Sequence, residues 1–168
     1  MYSTHLDARL QSQLATPWDE IIIVGDQEGP LYDHLRVVKT LSDLPPIDSF
    51  DCNKRTLVIF DECCVAVRGK ADMRVMYDFS IRGRLRGVST LFVEMDLLSV
   101  PKCVRRNADV LYLTTAPRYQ GWKEIKWLLL GDVPIAEWYA SLSRPHHWFK
   151  IDVRGRETEV IDATKYYP

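Results

Sequence analysis

Four short runs of apolar and β-branched residues recur along the chain, and each is followed by polar or glycine-containing residues. The runs cover residues 20–25 (EIIIVG), 56–62 (TLVIFDE), 89–95 (STLFVEM) and 108–114 (ADVLYLT). A continuous apolar run of this length, without alternating polar positions, is typical of a strand buried on both faces of a parallel sheet. The pattern therefore predicts four buried strands.

Between these runs, apolar residues recur at the three- and four-residue spacing of amphipathic helices. Leu6, Leu10 and Leu14 show this spacing at the start of the chain. Residues 32–41 are compatible with a short helix followed by a strand around Val37 and Val38. The predicted helices cover residues 1–15, 71–82, 100–106, 119–130 and 134–142, and a closing hairpin is predicted from residues 147–153 and 158–161. Helices that alternate with strands predict an α/β fold with a mostly parallel sheet and right-handed crossovers.

Size and composition predict one globular domain over residues 1–168, with an α/β core at 1–143 and a β-hairpin and tail at 144–168. Hydrophobic residues make up 46% of the chain and charged residues 27%, which excludes disordered and fibrous classes. No apolar run approaches the roughly 18 residues of a membrane span, and the first residues lack the regions of a signal peptide. These absences favour an intracellular protein without a membrane partner. The cysteines lack zinc-site spacing and are expected to be reduced thiols; they are Cys52, Cys63, Cys64 and Cys103.

Positive charge is concentrated in the middle of the chain. The whole protein has a net charge of -1, yet residues 68–106 contain nine Lys or Arg against four Asp or Glu. A local excess of this kind favours an anionic partner such as phosphate or nucleic acid. The alternative is a solvated basic surface without a partner.

Asp61 and Glu62 end the second apolar run with two adjacent carboxylates. Ligands of open α/β sheets bind at the carboxyl ends of the strands, so both side chains are candidates for chemistry. An acid at this position can hold a nucleotide-bound Mg²⁺, directly or through water. A second carboxylate within hydrogen-bond reach of a water can accept its proton. The alternative is an ordinary strand with a polar end.

Three segments, in this order and spacing, resemble the DNA-packaging ATPases of the FtsK–HerA lineage, found in poxvirus-like and giant DNA viruses and their parasites. Residues 57–62 (LVIFDE) look like the Walker B strand of that family. Residues 81–89 (IRGRLRGVS) are similar to its Gly-Arg-His segment, and residues 98–108 (LSVPKCVRRNA) to its leucine-proline step followed by Arg-x-Asn. The resemblance implies a three-layer P-loop-NTPase-like (ASCE) sheet, here incomplete at its N-terminus.

The resemblance also implies cofactors, partners and location. The complete family enzyme uses ATP and Mg²⁺ and moves double-stranded DNA as a homo-oligomeric ring, with capsid or portal proteins as further partners. Such a protein acts in the virus-infected host cell or the virion. The resemblance implies that Asp61 is the catalytic-site carboxylate that holds Mg²⁺ and that Glu62 is the catalytic base. Arg84 or Arg105 would act as an arginine finger, with Arg84 preferred.

The basic residues of the same region would face DNA or a neighbouring nucleotide. The predicted nucleic-acid-binding residues are Arg82, Arg86, Lys102 and Arg106.

The chain departs from the family pattern at two polar positions. By sequence register, Met95 takes the place of the polar sensor at the end of the strand after Walker B, and a thioether cannot replace an amide as donor and acceptor. Glu94 and Asp96 flank it. Leu85 takes the place of the histidine in the Gly-Arg-His segment.

A larger departure is that the sequence contains no G-x-x-x-x-G-K-[ST] string. Such a P-loop is needed to hold a triphosphate through backbone N–H groups, a lysine and a hydroxyl. Gly69-Lys70-Ala71 is the only Gly-Lys pair; it lacks the earlier glycine and follows the Walker-B-like strand. Residues 1–15 fall where the family has the helix that follows the loop. The expectation is a partial or degenerate ATPase core whose residues 1–168 do not hydrolyse ATP by themselves.

Two other functions remain open from the residues. A non-catalytic, ATPase-like interaction subunit accounts for the losses at the P-loop, Leu85 and Met95. A metal-dependent nuclease accounts for acids at two neighbouring strand ends; its candidate ligands are Asp61, Glu62, Glu94 and Asp96.

Overall fold

The computed structural model describes residues 18–25, 35–64, 67, 69–114, 119–129, 138, 140, 142 and 147–162. The helix predicted over residues 1–15, most of the one predicted over 134–142, and the C-terminal tail lie outside these ranges. Contacts between Cα atoms divide the chain into two compact units, Met1–Met95 with Ser99–Val104 and Asp96–Leu98 with Arg105–Pro168.

The first unit contains a four-stranded parallel sheet with the order β2-β1-β3-β4. Its strands are β1 (Glu20–Val24), β2 (Arg36–Val38), β3 (Thr56–Asp61) and β4 (Val88–Val93). β3 is buried at every position, as its uninterrupted apolar run predicts. The three predicted strands of this unit and the suggested strand around Val37 are confirmed.

Apolar side chains line both faces of this sheet. On one face Phe60 packs edge-to-face against Phe79 of helix α1 (Lys70–Arg82), with ring centroids 5.8 Å apart. Met76, also on α1, is fully buried in the same cluster. Ile23 and Ile59 belong to a separate buried cluster. β1 and β3 are covered on both faces, so the residues between their ends are apolar on either face. Charged residues are tolerated only at the strand ends.

The second unit is an antiparallel sheet with the order β5-β6-β7. Its strands are β5 (Val110–Leu113), β6 (His147–Asp152) and β7 (Glu157–Asp162), and it also contains helix α3 (Tyr119–Leu129). The short helix α2 (Lys102–Asn107) precedes β5. The core of the second unit includes the buried side chains of Trp122, Ile125, Phe149 and Ile151.

The predicted hairpin of β6 and β7 is confirmed. The predicted strand at residues 108–114 is confirmed as β5, but it pairs antiparallel with β6 and lies outside the parallel sheet. An apolar run indicates that a strand is buried but not whether its neighbour is parallel or antiparallel, so the sequence pattern could not predict the antiparallel pairing.

No helix among the described ranges has the length and apolar character needed to cross a bilayer.

Candidate functional site

Asp61 is the last residue of the central strand β3, and its carboxyl group is buried at the carboxyl edge of the parallel sheet. The residue is 6% exposed and lies opposite Val93 in the parallel pairing of β3 with β4. A buried carboxylate needs a charged or hydrogen-bonding partner to be stable in its ionised form. Its position therefore marks a place where a cation would be stabilised.

Glu62 follows directly in a conformation that few non-glycine residues adopt. Its φ angle is 49°, in the left-handed region, and its backbone N–H donates a 2.9 Å hydrogen bond to the carbonyl oxygen of Val93. Unlike Asp61, the Glu62 side chain is exposed. Left-handed backbone in a residue with a long side chain costs roughly 1–2 kcal/mol and is found preferentially at functional sites. The turn thus separates a buried acid from an exposed one.

Glu94, the first residue after β4, joins the two loops that leave the sheet at this edge. Its Oε1 accepts a 2.8 Å hydrogen bond from the backbone N–H of Cys64, and its Oε2 accepts a 3.2 Å hydrogen bond from Ser99 Oγ. Met95, which the sequence register places at the sensor position, is instead 77% exposed. Glu94 is therefore the side chain after β4 that interacts with the loop carrying the two acids.

Three carboxylates influence one another at this edge. The pKa of Asp61 is raised from 3.8 to about 6, first by burial, then by the negative charges of Glu62 and Glu94. A divalent cation would relieve both the repulsion and the desolvation, so the residues fit a magnesium site centred on Asp61. In the part of the chain that the structure describes, no group of three or more His, Cys, Asp or Glu is arranged to hold a metal ion. Mg²⁺ in nucleotide sites needs only one or two carboxylates besides phosphate and water.

Gly25, which ends β1, packs closely against the last residue of β3. A Cβ atom at Gly25 would lie 2.8 Å from the carbonyl oxygen of Asp61, and the Gly25 φ angle is 155°. Its N–H donates a 3.0 Å hydrogen bond to the carbonyl oxygen of Val38. Only glycine permits this approach. The sequence indicated only that Gly25 closes a strand, and its contact with Asp61 carries no short-range signal.

Cys63 and Cys64 follow the acids and are both buried free thiols. The pKa of Cys64 is raised far above its usual range by its hydrogen bond with Cys63, by burial and by Glu94. A neutral thiol is a poor nucleophile. These two cysteines are therefore packing groups of the loop, as expected from the sequence.

Arg84, the preferred arginine finger, lies at the opposite edge of the sheet from Asp61. It belongs to a 3-10 turn, Gly83–Arg86, that leads into β4. This turn sits at the start of β3, because the N–H of Thr56 donates a 3.0 Å hydrogen bond to the carbonyl oxygen of Gly87. Thr56 and Asp61 are separated by the length of β3, about 17 Å at 3.3 Å per residue. Arg84 is exposed.

Arg82 and Arg86, which are predicted to bind nucleic acid, both form ion pairs with the carboxylate of Asp48. Arg82 Nη2 and Arg86 Nη2 lie 2.5 Å and 2.9 Å from Asp48 Oδ1. The two guanidinium groups hold the pKa of Asp48 below its usual value, and Asp48 raises the pKa of Arg82. The two arginines therefore connect the end of α1 and the 3-10 turn after it to the segment that contains Asp48. A phosphate would have to compete with Asp48 for them.

Arg105, the other predicted finger, is 8% exposed and lies within the second unit. Its Nε is 3.5 Å from Glu124 Oε1, and its Nη1 donates to the carbonyl oxygens of Leu97 and Leu98 at 3.5 Å and 3.4 Å. This geometry makes Arg105 an internal anchor of the Leu97–Leu98 loop.

The remaining two predicted nucleic-acid-binding residues, Lys102 and Arg106, lie on α2 and are exposed. The guanidinium of Arg106 lies 4.0 Å from the centroid of the Trp127 ring.

The fold is α/β, and an adjacent pair of acids stands at the carboxyl end of the central strand of its parallel sheet, where open α/β sheets bind ligands. The most informative likeness is to solved structures of a viral packaging enzyme. The genome packaging NTPase B204 from Sulfolobus turreted icosahedral virus 2, in complex with AMPPCP, superposes with a TM-score of 0.58 and 13% identity, covering 93% of this chain and 87% of that chain. B204, the DNA-packaging ATPase from Sulfolobus turreted icosahedral virus, gives a TM-score of 0.60 and 11% identity with the same coverage. The complex of the first of these with ATP-gammaS gives 0.56 and 13%, covering 93% and 86%.

The chain matches no protein-family model, and no curated protein matches it. At 11–14% identity the likeness to B204 is one of fold. At that level it confirms the resemblance to viral DNA-packaging ATPases of the FtsK–HerA type and the α/β, P-loop-NTPase-like fold class.

Proposed function

We propose that this chain is an ATPase-like subunit of a viral genome-packaging motor, in which the Asp61 edge contributes the magnesium-binding half of a nucleotide site. The observation that carries the proposal is the buried Asp61 followed by the exposed, conformationally strained Glu62 at the carboxyl end of the central parallel strand. The shared fold with packaging NTPases crystallised with ATP analogues supports it. In the complete assembly, ATP hydrolysis would be coupled to movement of double-stranded DNA towards a capsid, in an infected cell or a virion.

Each acid has a distinct role in this proposal. Asp61 would hold Mg²⁺ directly or through water, since a bound cation stabilises the ionised form of a buried carboxyl group. Glu62 would orient a water molecule and accept its proton, because it is exposed and backbone strain fixes its place. Mg-ATP supplies the electrophilic γ-phosphate when bound. Glu94 would keep the Glu62 turn in position through Cys64.

Arg84 would act on the nucleotide of a neighbouring subunit. Its place at the far edge of the sheet excludes contact with a nucleotide bound at Asp61 of the same sheet, whereas its exposure permits contact with another copy. This division of the site requires a homo-oligomer, which we propose to be a ring. A guanidinium placed on a γ-phosphate stabilises the charge that develops in phosphoryl transfer.

We further propose that residues 1–168 alone do not hydrolyse ATP. The sequence has no P-loop string, and without those backbone and lysine contacts most of the triphosphate-binding energy is lost. The exposed Leu85 and Met95 also lack the polar chemistry of the family positions. The same observations support a second candidate, a non-catalytic subunit that keeps the fold and its association surfaces.

Two measurements test these statements. Phosphate release at saturating Mg-ATP is expected to be at background for the wild type, and turnover that disappears in Glu62→Gln would contradict the inactivity. Binding of a fluorescent ATP analogue, with and without Mg²⁺, is expected to show a weak magnesium-dependent component that Asp61→Asn removes. If magnesium-dependent binding is absent from the wild type, or is unchanged in Asp61→Asn, the chain is not a nucleotide-site subunit.

A further inference from the structure

Strand β7 (Glu157–Asp162) is the edge strand of the antiparallel sheet, and its outer side is open. It pairs with β6 along its whole length without a bulge. No other strand of the described residues pairs with it. Residues 157–160 are all exposed. A regular and exposed edge strand of this kind is a template for the addition of a further strand.

The backbone groups that face the open side follow from the alternation of hydrogen bonds in the sheet. The N–H of Val153, at the end of β6, donates a 2.9 Å hydrogen bond to the carbonyl oxygen of Asp109, so Val153 faces β5. Successive residues of an antiparallel strand direct their N–H and C=O groups to opposite sides, so Asp152 faces β7 and bonds to the residue opposite it. One residue further along β7, Thr158 faces the other way, as does Val160. These two residues therefore direct their N–H and C=O groups to the open edge.

The apolar core of this sheet reaches the edge without being closed there. Val160 lies opposite Phe149 and Thr158 lies opposite Ile151, so both side chains are on the core face of the sheet. Phe149 is 2% exposed, whereas Val160 is 45% exposed. An apolar side chain on an added strand would cover Val160 and extend the core by one strand.

The other face of the edge has an excess of negative charge. Glu157 lies opposite Asp152, and like charges that face each other on neighbouring strands repel. Glu159 lies opposite Lys150, whose Nζ is 3.4 Å from Glu159 Oε2, and the Glu159 side chain remains 63% exposed. These four side chains thus comprise three carboxylates and one cation. A lysine or arginine on an added strand would relieve the repulsion.

We propose that the outer edge of β7 binds an extended segment of a partner protein in which Lys or Arg alternates with apolar residues. The backbone of that segment pairs with Thr158 and Val160 by strand addition. Its basic side chains lie on the face of Glu157 and Glu159, and its apolar side chains lie on the face of Val160. β7 itself contains three acids and no base, so its charges disfavour a second copy of this chain as the occupant. The inference goes beyond the proposed function and is independent of the nucleotide site.

The test is a fluorescence-anisotropy titration of the whole chain against a labelled eight-residue peptide in which lysine and valine alternate, in EDTA and without nucleotide. Two further peptides carry backbone N-methyl groups, one at every lysine and the other at every valine. In strand addition only one of the two sets of N–H groups faces β7, the valine set in an antiparallel arrangement and the lysine set in a parallel one. Methylation of that set is expected to weaken binding more than about tenfold, and methylation of the other set less than about twofold.

The charge contribution is tested in the protein. Glu157→Gln combined with Glu159→Gln is expected to weaken binding about fivefold, because it removes two cross-strand attractions. The matched control is Asp43→Asn combined with Asp51→Asn, which removes two negative charges from exposed positions of the first unit. The control is expected to change affinity less than about twofold, because charges outside the edge are screened by salt.

The backbone contribution is tested with Val160→Pro. Proline removes an N–H that faces the open edge and leaves the hydrogen bonds to β6, so an edge strand tolerates it. This variant is expected to lose peptide binding, whereas Val160→Thr keeps the N–H and retains binding. Circular dichroism and thermal unfolding show whether each variant is folded, and the methylated peptides test the same backbone contacts on the wild type.

Three results overturn the proposal. Equal losses with the two methylated peptides would show that no strand is added. Equally tight binding of a peptide with the same composition, but with all lysines before all valines, would show attraction of charge alone. A dimer of the wild type in light scattering that is absent in Val160→Pro would show that a second copy occupies the edge. Because the titration contains neither Mg²⁺ nor nucleotide, failure of this edge is distinguishable from failure of the site at Asp61.

Discussion

Replacing Asp61 with Asn should stabilise the protein at neutral pH, although the residue is buried and central. Asn has nearly the same volume as Asp but no charge. The pKa of Asp61 is about 6 in the folded protein, against a usual value of 3.8. Below pH 3.8 the carboxyl is protonated in both the folded and the unfolded state and carries no penalty. As the pH rises through about 6, the folded protein must ionise a buried group, so stability is lost.

The size of this loss follows from the difference between the two pKa values. A difference of about 2 pKa units, at about 1.36 kcal/mol each, corresponds to about 3 kcal/mol in the free energy of unfolding. The causes of the raised pKa are burial first, then Glu62 and Glu94. Glu94→Gln removes one of the two charges and keeps an acceptor for Cys64. It should therefore give a smaller stabilisation of the same sign.

Urea unfolding of the wild type and Asp61→Asn at about pH 4.5, 6 and 8 measures the effect. The advantage of the variant should be small at the lowest pH and grow towards about 3 kcal/mol at the highest. Addition of Mg²⁺ with nucleotide should stabilise the wild type and not the variant, because a ligand stabilises only the state that binds it. An Asn variant that is no more stable at pH 8 than at pH 4.5, relative to the wild type, would refute the electrostatic account of this edge.

Two further predictions concern the backbone and the arginines. Gly87→Ala should lower the free energy of unfolding, measured in urea, by at least about 2 kcal/mol. The reason is that Gly87 has a φ angle of 65° and an added Cβ would collide with the carbonyl oxygen of Lys54. An alanine variant as stable as the wild type would contradict this packing. Arg105→Ala should destabilise the protein by about 3–5 kcal/mol in the same assay, since it leaves Glu124 as a nearly buried charge without its cation. Arg84 is exposed, so Arg84→Ala should change stability by less than about 0.5 kcal/mol. Equal effects of the two substitutions would show that Arg105 is not an internal anchor.

The parts of the fold that could be predicted are those governed by short-range pattern. The run at residues 56–62 predicted β3 and its acidic end because a strand buried on both faces cannot contain polar residues before it reaches the edge. The spacing of Met76 and Phe79 predicted α1 for the same reason, since both face the sheet. These elements depend on neighbours within a few residues, which the sequence displays directly.

The parts that could not be predicted depend on which segments meet in space. β5 has the same apolar composition as the parallel strands, and its antiparallel partner β6 is distant in the chain. The sequence places Glu94 beside the sensor position and among the candidate metal ligands, but it does not show that the Cys64 N–H lies within reach of the Glu94 carboxylate. Arg105 and Arg84 look alike in the sequence, and only burial separates them.

The placement of the acids and Arg84 at opposite edges of one sheet has a consequence for the oligomer that we propose. A copy that offers its arginine to the acids of another uses a different face from the one that receives it. Contacts between unlike faces are heterologous, and a pair joined in this way still has one free face at each end. Growth then stops only when the chain of copies closes on itself, so the rotation between neighbours, and not the chemistry of the acids, would determine how many copies complete the assembly.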